Sequence, residues 1–251
     1  DGLAAPPQYF PINAKINKEG YESLDTVLAN GLKALTVAAF KEEISTFEPV
    51  ILDTRNATVF TQGFVPGAVS IGLEGRFAEF AGSILPFDKA ILLVCEPGTE
   101  KESIVRLARV GFENIIGHLA GGFNAWLAAN ETPDLIIDVE ADELAMDIPF
   151  DPNMVIVDVR KTSEFDKGHL KEALTIPLDE LTDPASMANF DDNQNIYIHC
   201  AGGYRSVIAS SLIKRQGIHN IRNVVGGFKA ISELGDKFDI EETVLAEEVK
   251  S

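Results

Sequence analysis

The residues best suited to chemistry lie in one segment, Asn195-Ile-Tyr-Ile-His-Cys200-Ala-Gly-Gly-Tyr-Arg205-Ser206. A cysteine at the carboxyl end of a buried parallel strand sits where open α/β sheets bind ligands. Ala201, Gly202 and Gly203 let the backbone curl so that several N–H groups point at the sulfur, and a helix beginning near Ser206 adds its positive end. Arg205 supplies a permanent cation. All three effects favour thiolate over thiol, so Cys200 is expected to be a nucleophile at neutral pH. Ala201, Gly202, Gly203, Tyr204, Arg205 and Ser206 form the expected anion-binding loop, with Tyr204 and Ser206 donating to a bound anion.

That loop needs a strand before it and a helix after it, and the hydropathy pattern supplies both. Val155–Val159 and Ile196–Cys200 read as buried strands. Ser206–Gln216 reads as a helix, with Val207, Ile208, Leu212 and Ile213 on one side and Gly217 as its stop. Strand and helix in alternation predict an α/β domain, a mostly parallel sheet with helices on both faces.

The same pattern occurs twice. Asp53-Thr54-Arg55 recurs as Asp158-Val159-Arg160, Phe60 as Phe165, Gly63 as Gly168, Cys95 as Cys200, Gly98 as Gly203, and Gly121-Gly122-Phe123 as Gly226-Gly227-Phe228, always 105 residues apart. A period near one hundred residues is too long for a solenoid and marks a duplicated domain. In the first copy the strands are Val50–Asp53 and Ile91–Cys95, and a helix is expected over Glu102–Val110. The turn-forming Asn130-Glu131-Thr132-Pro133-Asp134 marks the junction. The expected organisation is therefore an extended leader or linker over 1–35, a first domain over 36–131, a second over 135–240 and an acidic tail over 241–251.

The first copy departs from the second at the loop. Cys95-Glu-Pro-Gly-Thr-Glu100-Lys101 puts Glu100 where the second copy has Arg205, and Pro97, which lacks an N–H, where it has Gly202. Like charge and fewer donors should raise the Cys95 pKa, so Cys95 is read as structural or weakly reactive. Asp158 and Arg160 are expected to hold the strand end and nearby loop through hydrogen bonds and an ion pair in which Glu164 can share. His169 corresponds to Phe64 and is assigned to packing, and Trp126 corresponds to Ile231 and is assigned to the core. His199 adjoins Cys200, but neighbouring side chains on a strand point to opposite faces, which argues against a Cys–His pair. Four scattered histidines and two separated cysteines have no metal-ligand spacing, so neither metal nor cofactor is expected.

Composition narrows the partners. With 251 residues, 45% of them apolar and 24% charged, the chain is long enough to bury a sizeable core. The 21 basic and 39 acidic residues give a net charge of −18, which repels phosphate backbones and acidic headgroups, so neither nucleic acid nor a membrane is an expected partner. The longest apolar runs fall far short of the roughly 20 residues of a membrane span. Two cysteines cannot build a disulfide framework, which points to a reducing, cytoplasmic setting. The chain opens with Asp1 and shows no charged-then-apolar leader, as a segment of something longer would.

On the Asp-Xaa-Arg after the first central strand, the Gly168-His169 turn, the loop Cys-Ala-Gly-Gly-Tyr-Arg-Ser and the closing Gly226-Gly227-Phe228, residues 36–235 resemble the rhodanese family of sulfurtransferases. The resemblance implies two tandem rhodanese-like domains, the first inactive and the second active. It implies that Cys200 takes a sulfane sulfur from thiosulfate or another small donor, holds it as a persulfide, and passes it to cyanide or a thiol. A phosphatase or arsenate reductase on the same domain, or a non-catalytic module that binds partners through its acidic surface, are the competing readings. Pro6-Pro7-Gln-Tyr-Phe-Pro11 and Asn17-Lys-Glu-Gly20-Tyr also resemble the connector of persulfide dioxygenase fusions, which implies a metallo-β-lactamase-fold domain on the N-terminal side of a longer chain.

Overall fold

A computed structural model of the chain describes residues 23–243, which divide into two compact units at Leu135/Ile136. In the first unit, strands β1 (Ala34–Leu35), β2 (Val50–Asp53), β3 (Val69–Ser70), β4 (Ile91–Val94) and β5 (Ile115–Leu119) form one sheet in the order β1-β5-β4-β2-β3. Every pairing in it is parallel. The second unit contains β6 (Ile137–Val139), β7 (Met154–Asp158), β8 (His169–Leu170), β9 (Leu174–Thr175), β10 (Asn195–His199), β11 (Ile221–Val224) and β12 (Ile240–Glu241). Its main sheet runs β6-β11-β10-β7-β9, again all parallel, while β8 and β12 pair antiparallel. Both sheets place their strands in the same order, so the duplicated sequence builds a duplicated α/β fold.

The central strands are covered on both faces, which is why they read as unbroken apolar runs rather than alternating ones. All four residues of β2 and all four of β4 are buried. In the second unit the helix Tyr204–Arg215 follows β10 directly and buries nine of its residues. The equivalent helix Glu100–Val110 ends at Gly111, whose φ of 102° is open to glycine at little cost.

The expected extended leader differs from the structure at its end. Residues 24–31 form a helix, with Ser23 accepting a hydrogen bond from the Thr26 N–H as its N-cap, and Ala34–Leu35 pair with β5. Gly31 permits this packing, because a Cβ there would lie 2.9 Å from Ile104 Cδ1. The prolines and early glycines suggested an arm, but tertiary contact with Ile104 and Ile115 overrides that local signal for residues 24–35. At the other end Glu241, expected to open the tail, pairs with His169 in β12. The connector-like residues Pro6–Tyr21 and the segment 244–251 lie outside the described residues.

Candidate active site

Cys200 lies at the carboxyl end of β10, where the chain turns into the helix Tyr204–Arg215. It is 1% exposed, while Ala201 and Gly202 beside it are exposed. The Gly203 N–H donates to Cys200 Sγ at 3.1 Å. Gly203 has a φ of 100°, and that left-handed conformation brings its N–H round to the sulfur. The loop is closed from behind by Gly226-Gly227-Phe228. The Phe228 N–H donates to the Cys200 carbonyl at 2.7 Å and the Lys229 N–H to the Ala201 carbonyl at 3.1 Å. A Cβ on Gly227 would sit 2.4 Å from the Cys200 carbonyl oxygen, and one on Gly122 would sit 2.5 Å from that of Cys95. The second glycine of the recurrent Gly-Gly-Phe is therefore a steric requirement of the loop in both units.

Asp158 and Arg160 hold this closure in place. Arg160 Nε donates to Asp158 at 2.9 and 2.8 Å, and its Nη2 donates to the Gly168 carbonyl at 2.7 Å. Its guanidinium lies 3.9 Å from the centre of the Phe228 ring. One arginine thus connects the strand end, the Gly168 turn and the segment that grips Cys200. The first unit repeats the arrangement, with Arg55 on Asp53, the Gly63 carbonyl and the Phe123 ring. His169 stacks on Phe165 with centroids 3.7 Å apart, as Phe64 stacks on Phe60 at 4.0 Å.

Glu164 is not part of the Asp158–Arg160 pair. It accepts from Arg205 through both carboxylate oxygens, Nη1–Oε2 at 2.7 Å and Nη2–Oε1 at 2.8 Å. The Arg205 hydrogen bonds pull the Glu164 pKa down to about 2, so the pair stays ionised through the physiological range. The sequence shows Arg205 as a permanent cation, and the structure gives it a carboxylate of its own.

Ser206 also differs from expectation. Its hydroxyl is buried and turned inward, 2.6 Å from Asn223 Oδ1 and 3.0 Å from the Gly203 carbonyl, either of which can accept its proton. Asn223 Nδ2 in turn donates to Asp138 at 2.7 Å. In the thiol form Cys200 points its S–H toward Ser206 Oγ at 3.7 Å. Asn223 and Asp138 were missed by sequence reasoning; the available signal was a buried asparagine inside an apolar strand, which demands a partner. His199 is wholly buried, with Nδ1 3.9 Å from Asp158 Oδ1, and burial lowers its pKa, so it is neutral. Tyr204 is half-buried in the first turn of the helix.

The loop of the first unit is occupied differently. Its Gly98 N–H, the counterpart of the Gly203 N–H, donates to Glu100 Oε2 at 2.9 Å. Cys95 Sγ instead donates to Ser103 Oγ at 3.5 Å. Burial is the main cause that pushes the Cys95 pKa up to about 11, with Asp53 and Glu100 adding to it, so like charge has the smaller share. At pH 7.5 only roughly one Cys95 in a thousand, or fewer, is then thiolate. Iodoacetamide alkylation of Cys95 in a C200S background is expected to stay slow up to pH 9 and to accelerate toward pH 11. A plateau below pH 8 would contradict this assignment.

The chain is similar to known proteins. The model of the rhodanese-like domain matches residues 36–129 and 140–234, and the chain belongs to that family, with two copies of the domain. A putative sulfur carrier protein of Bacillus subtilis, YrkF, is 32% identical over 101 residues, which are 40% of this chain and 54% of that protein. A tRNA uridine(34) hydroxylase of Pectobacterium carotovorum is 24% identical over 233 residues, 84% of this chain and 62% of that one. The chain thus spans less than two thirds of either relative. Among solved structures, a rhodanese-like domain protein of Staphylococcus aureus is 33% identical with a TM-score of 0.38, covering 43% of this chain and all of that one. Family membership supports sulfurtransferase-type activity in broad terms. Among the described residues no helix is long and apolar enough to cross a membrane.

Proposed function

We propose that the chain is a sulfurtransferase that carries sulfane sulfur as a persulfide on Cys200 in the second rhodanese domain. The observation that carries this reading is the Gly203 N–H on Cys200 Sγ, set against the first unit, where the equivalent N–H serves Glu100. An amide aimed at sulfur stabilises a thiolate and, after transfer, a persulfide anion. Cys200 thiolate attacks the outer sulfur of a small donor. A new S–S bond forms, the donor's own bond to that sulfur breaks, and its electron pair leaves with sulfite or a thiolate. Attack by cyanide or an acceptor thiolate on the terminal sulfur then returns Cys200 as thiolate. No cofactor takes part in this cycle. A reducing, cytoplasmic setting suits two free thiols.

Loop length favours sulfur over phosphorus. Four residues, Ala201, Gly202, Gly203 and Tyr204, separate Cys200 from Arg205, whereas the related phosphatases and arsenate reductases carry five. A smaller ring of amides suits a single terminal sulfur better than a tetrahedral phosphate. A tRNA substrate, which the names of some relatives suggest, fits poorly with a net charge of −18. The connector-like residues 6–21 carry the proposal of a metallo-β-lactamase-fold neighbour as partner in a longer chain.

Intact mass after incubation with thiosulfate tests the reading. The protein is expected to gain one sulfur atom on Cys200, to lose it on addition of cyanide, and not to turn over aryl phosphates. Saturable phosphatase activity that depends on Cys200 and exceeds the sulfurtransferase rate would overturn it.

A further inference from the structure

We infer that Glu164 is a specificity-determining residue, one that favours an organic persulfide over thiosulfate as the sulfur donor by holding both arms of the Arg205 guanidinium. The inference rests on the sulfurtransferase reading and names its donor class. Both donors would deliver a sulfur atom to Cys200, but they present different charge. A persulfide anion carries one charge on the sulfur pair that reacts and has no sulfonate beside it; any further charge of an organic donor lies on its carrier, away from that pair. Thiosulfate is a dianion with a sulfonate that must be held while the outer sulfur is transferred, and a guanidinium fork is the side chain best matched to such oxygens.

Arg205 is the cation of the loop, and both of its Nη atoms are already engaged by Glu164. Glu164 is itself fixed, because its Oε2 also accepts from the Lys161 N–H at 3.2 Å. It therefore does not depend on Arg205 for its position. Arg160 offers no substitute, being buried and committed to Asp158 and to the Gly168 carbonyl. The two guanidinium groups are thus each matched by one carboxylate, and a dianion entering here meets less attraction than the bare sequence of the loop suggests.

The first unit supplies an internal comparison. At the position of Arg205 it has Glu100, and at the position of Glu164 it has Val59. Where the arginine is absent the carboxylate opposite is absent too, as expected if Glu164 serves Arg205 and not the fold. Val59 is 39% exposed and sits in a helix without needing a charge there.

In chemical terms, attack on a persulfide forms the Cys200 S–S bond, breaks the donor's S–S bond and releases a thiolate. Attack on thiosulfate forms the same bond and releases sulfite. Glu164 changes neither step; it changes how much of Arg205 is offered to the sulfonate. Glu164→Gln removes the competing charge, and Glu164→Val installs the residue of the first unit.

The test measures kcat/KM for thiosulfate and for glutathione persulfide in the wild type, in E164Q and E164V, and in the R205A/E164Q double variant. Both single variants are expected to raise the thiosulfate-to-persulfide ratio about fivefold, the scale of a partly exposed ion pair. The gain should lie in the thiosulfate KM and should vanish in the double variant. An unchanged or lowered ratio would show that Glu164 merely orients Arg205, and a gain that survives loss of Arg205 would equally overturn the inference. If the wild type takes sulfur from neither donor, the sulfurtransferase reading fails and this inference with it; transfer with an unmoved ratio sinks the inference alone.

Discussion

Replacing Cys200 by serine is expected to abolish sulfur transfer, by at least roughly a thousandfold, while Cys95→Ser leaves most of it. Serine keeps the size and the hydrogen-bonding capacity of the thiol but forms no persulfide. The asymmetry follows from the two loops rather than from the two cysteines, since both thiols are buried at the ends of equivalent strands. At Cys200 a backbone N–H faces the sulfur, whereas at Cys95 the matching N–H is taken by Glu100 and the thiol donates to Ser103. Steady-state transfer from thiosulfate or a persulfide to cyanide, measured for both variants, decides the matter. Comparable losses from both would mean that the two units share the work.

Much of this arrangement is legible in the sequence. The duplication at one fixed spacing predicted two copies of one α/β domain, and the strand Val50–Asp53 was placed at its observed bounds. Helix starts are less visible: the pattern after Cys200 predicts a helix from near Ser206, and the helix begins at Tyr204. The reason lies in Gly203, whose left-handed turn starts the helix sooner than an apolar periodicity can reveal. Pairings of charged groups were the least legible. Glu164 was grouped with Asp158 and Arg160 because it lies near them in sequence, and it reaches Arg205, 41 residues on, instead. Sequence proximity ranks candidates for an ion pair poorly when a four-residue helix, Thr162–Phe165, can turn one of them toward another loop. Asn223 and Asp138 were missed for the same reason, being partners across adjacent strands β11 and β6 and 85 residues apart.

Because the Asp-Xaa-Arg pair is duplicated, its contribution can be removed in each unit separately. Arg160→Ala is expected to cost about 3–5 kcal/mol of stability in the second unit, because it leaves Asp158, wholly buried, as an unpaired charge. Burial of the carboxylate is severe enough that in the first unit Asp53, fully enclosed, has its pKa raised even with Arg55 against it, desolvation outweighing the ion pair. Activity should fall with stability, since Arg160 also holds the Gly168 carbonyl and lies over the Phe228 ring, and the Phe228 N–H grips the Cys200 carbonyl. Arg55→Ala makes the matching cut in the first unit, where the same contacts recur. It is expected to cost a similar amount while leaving the contacts around Cys200 in place. Urea unfolding followed by hydrogen exchange, which reports each unit separately, distinguishes the two variants. The expected pattern is loss of protection in the second unit for R160A and in the first for R55A, with persulfide formation lost only in R160A. If R160A left both protection and persulfide formation intact, the buried arginine would be dispensable and not the tie between strand end, turn and loop.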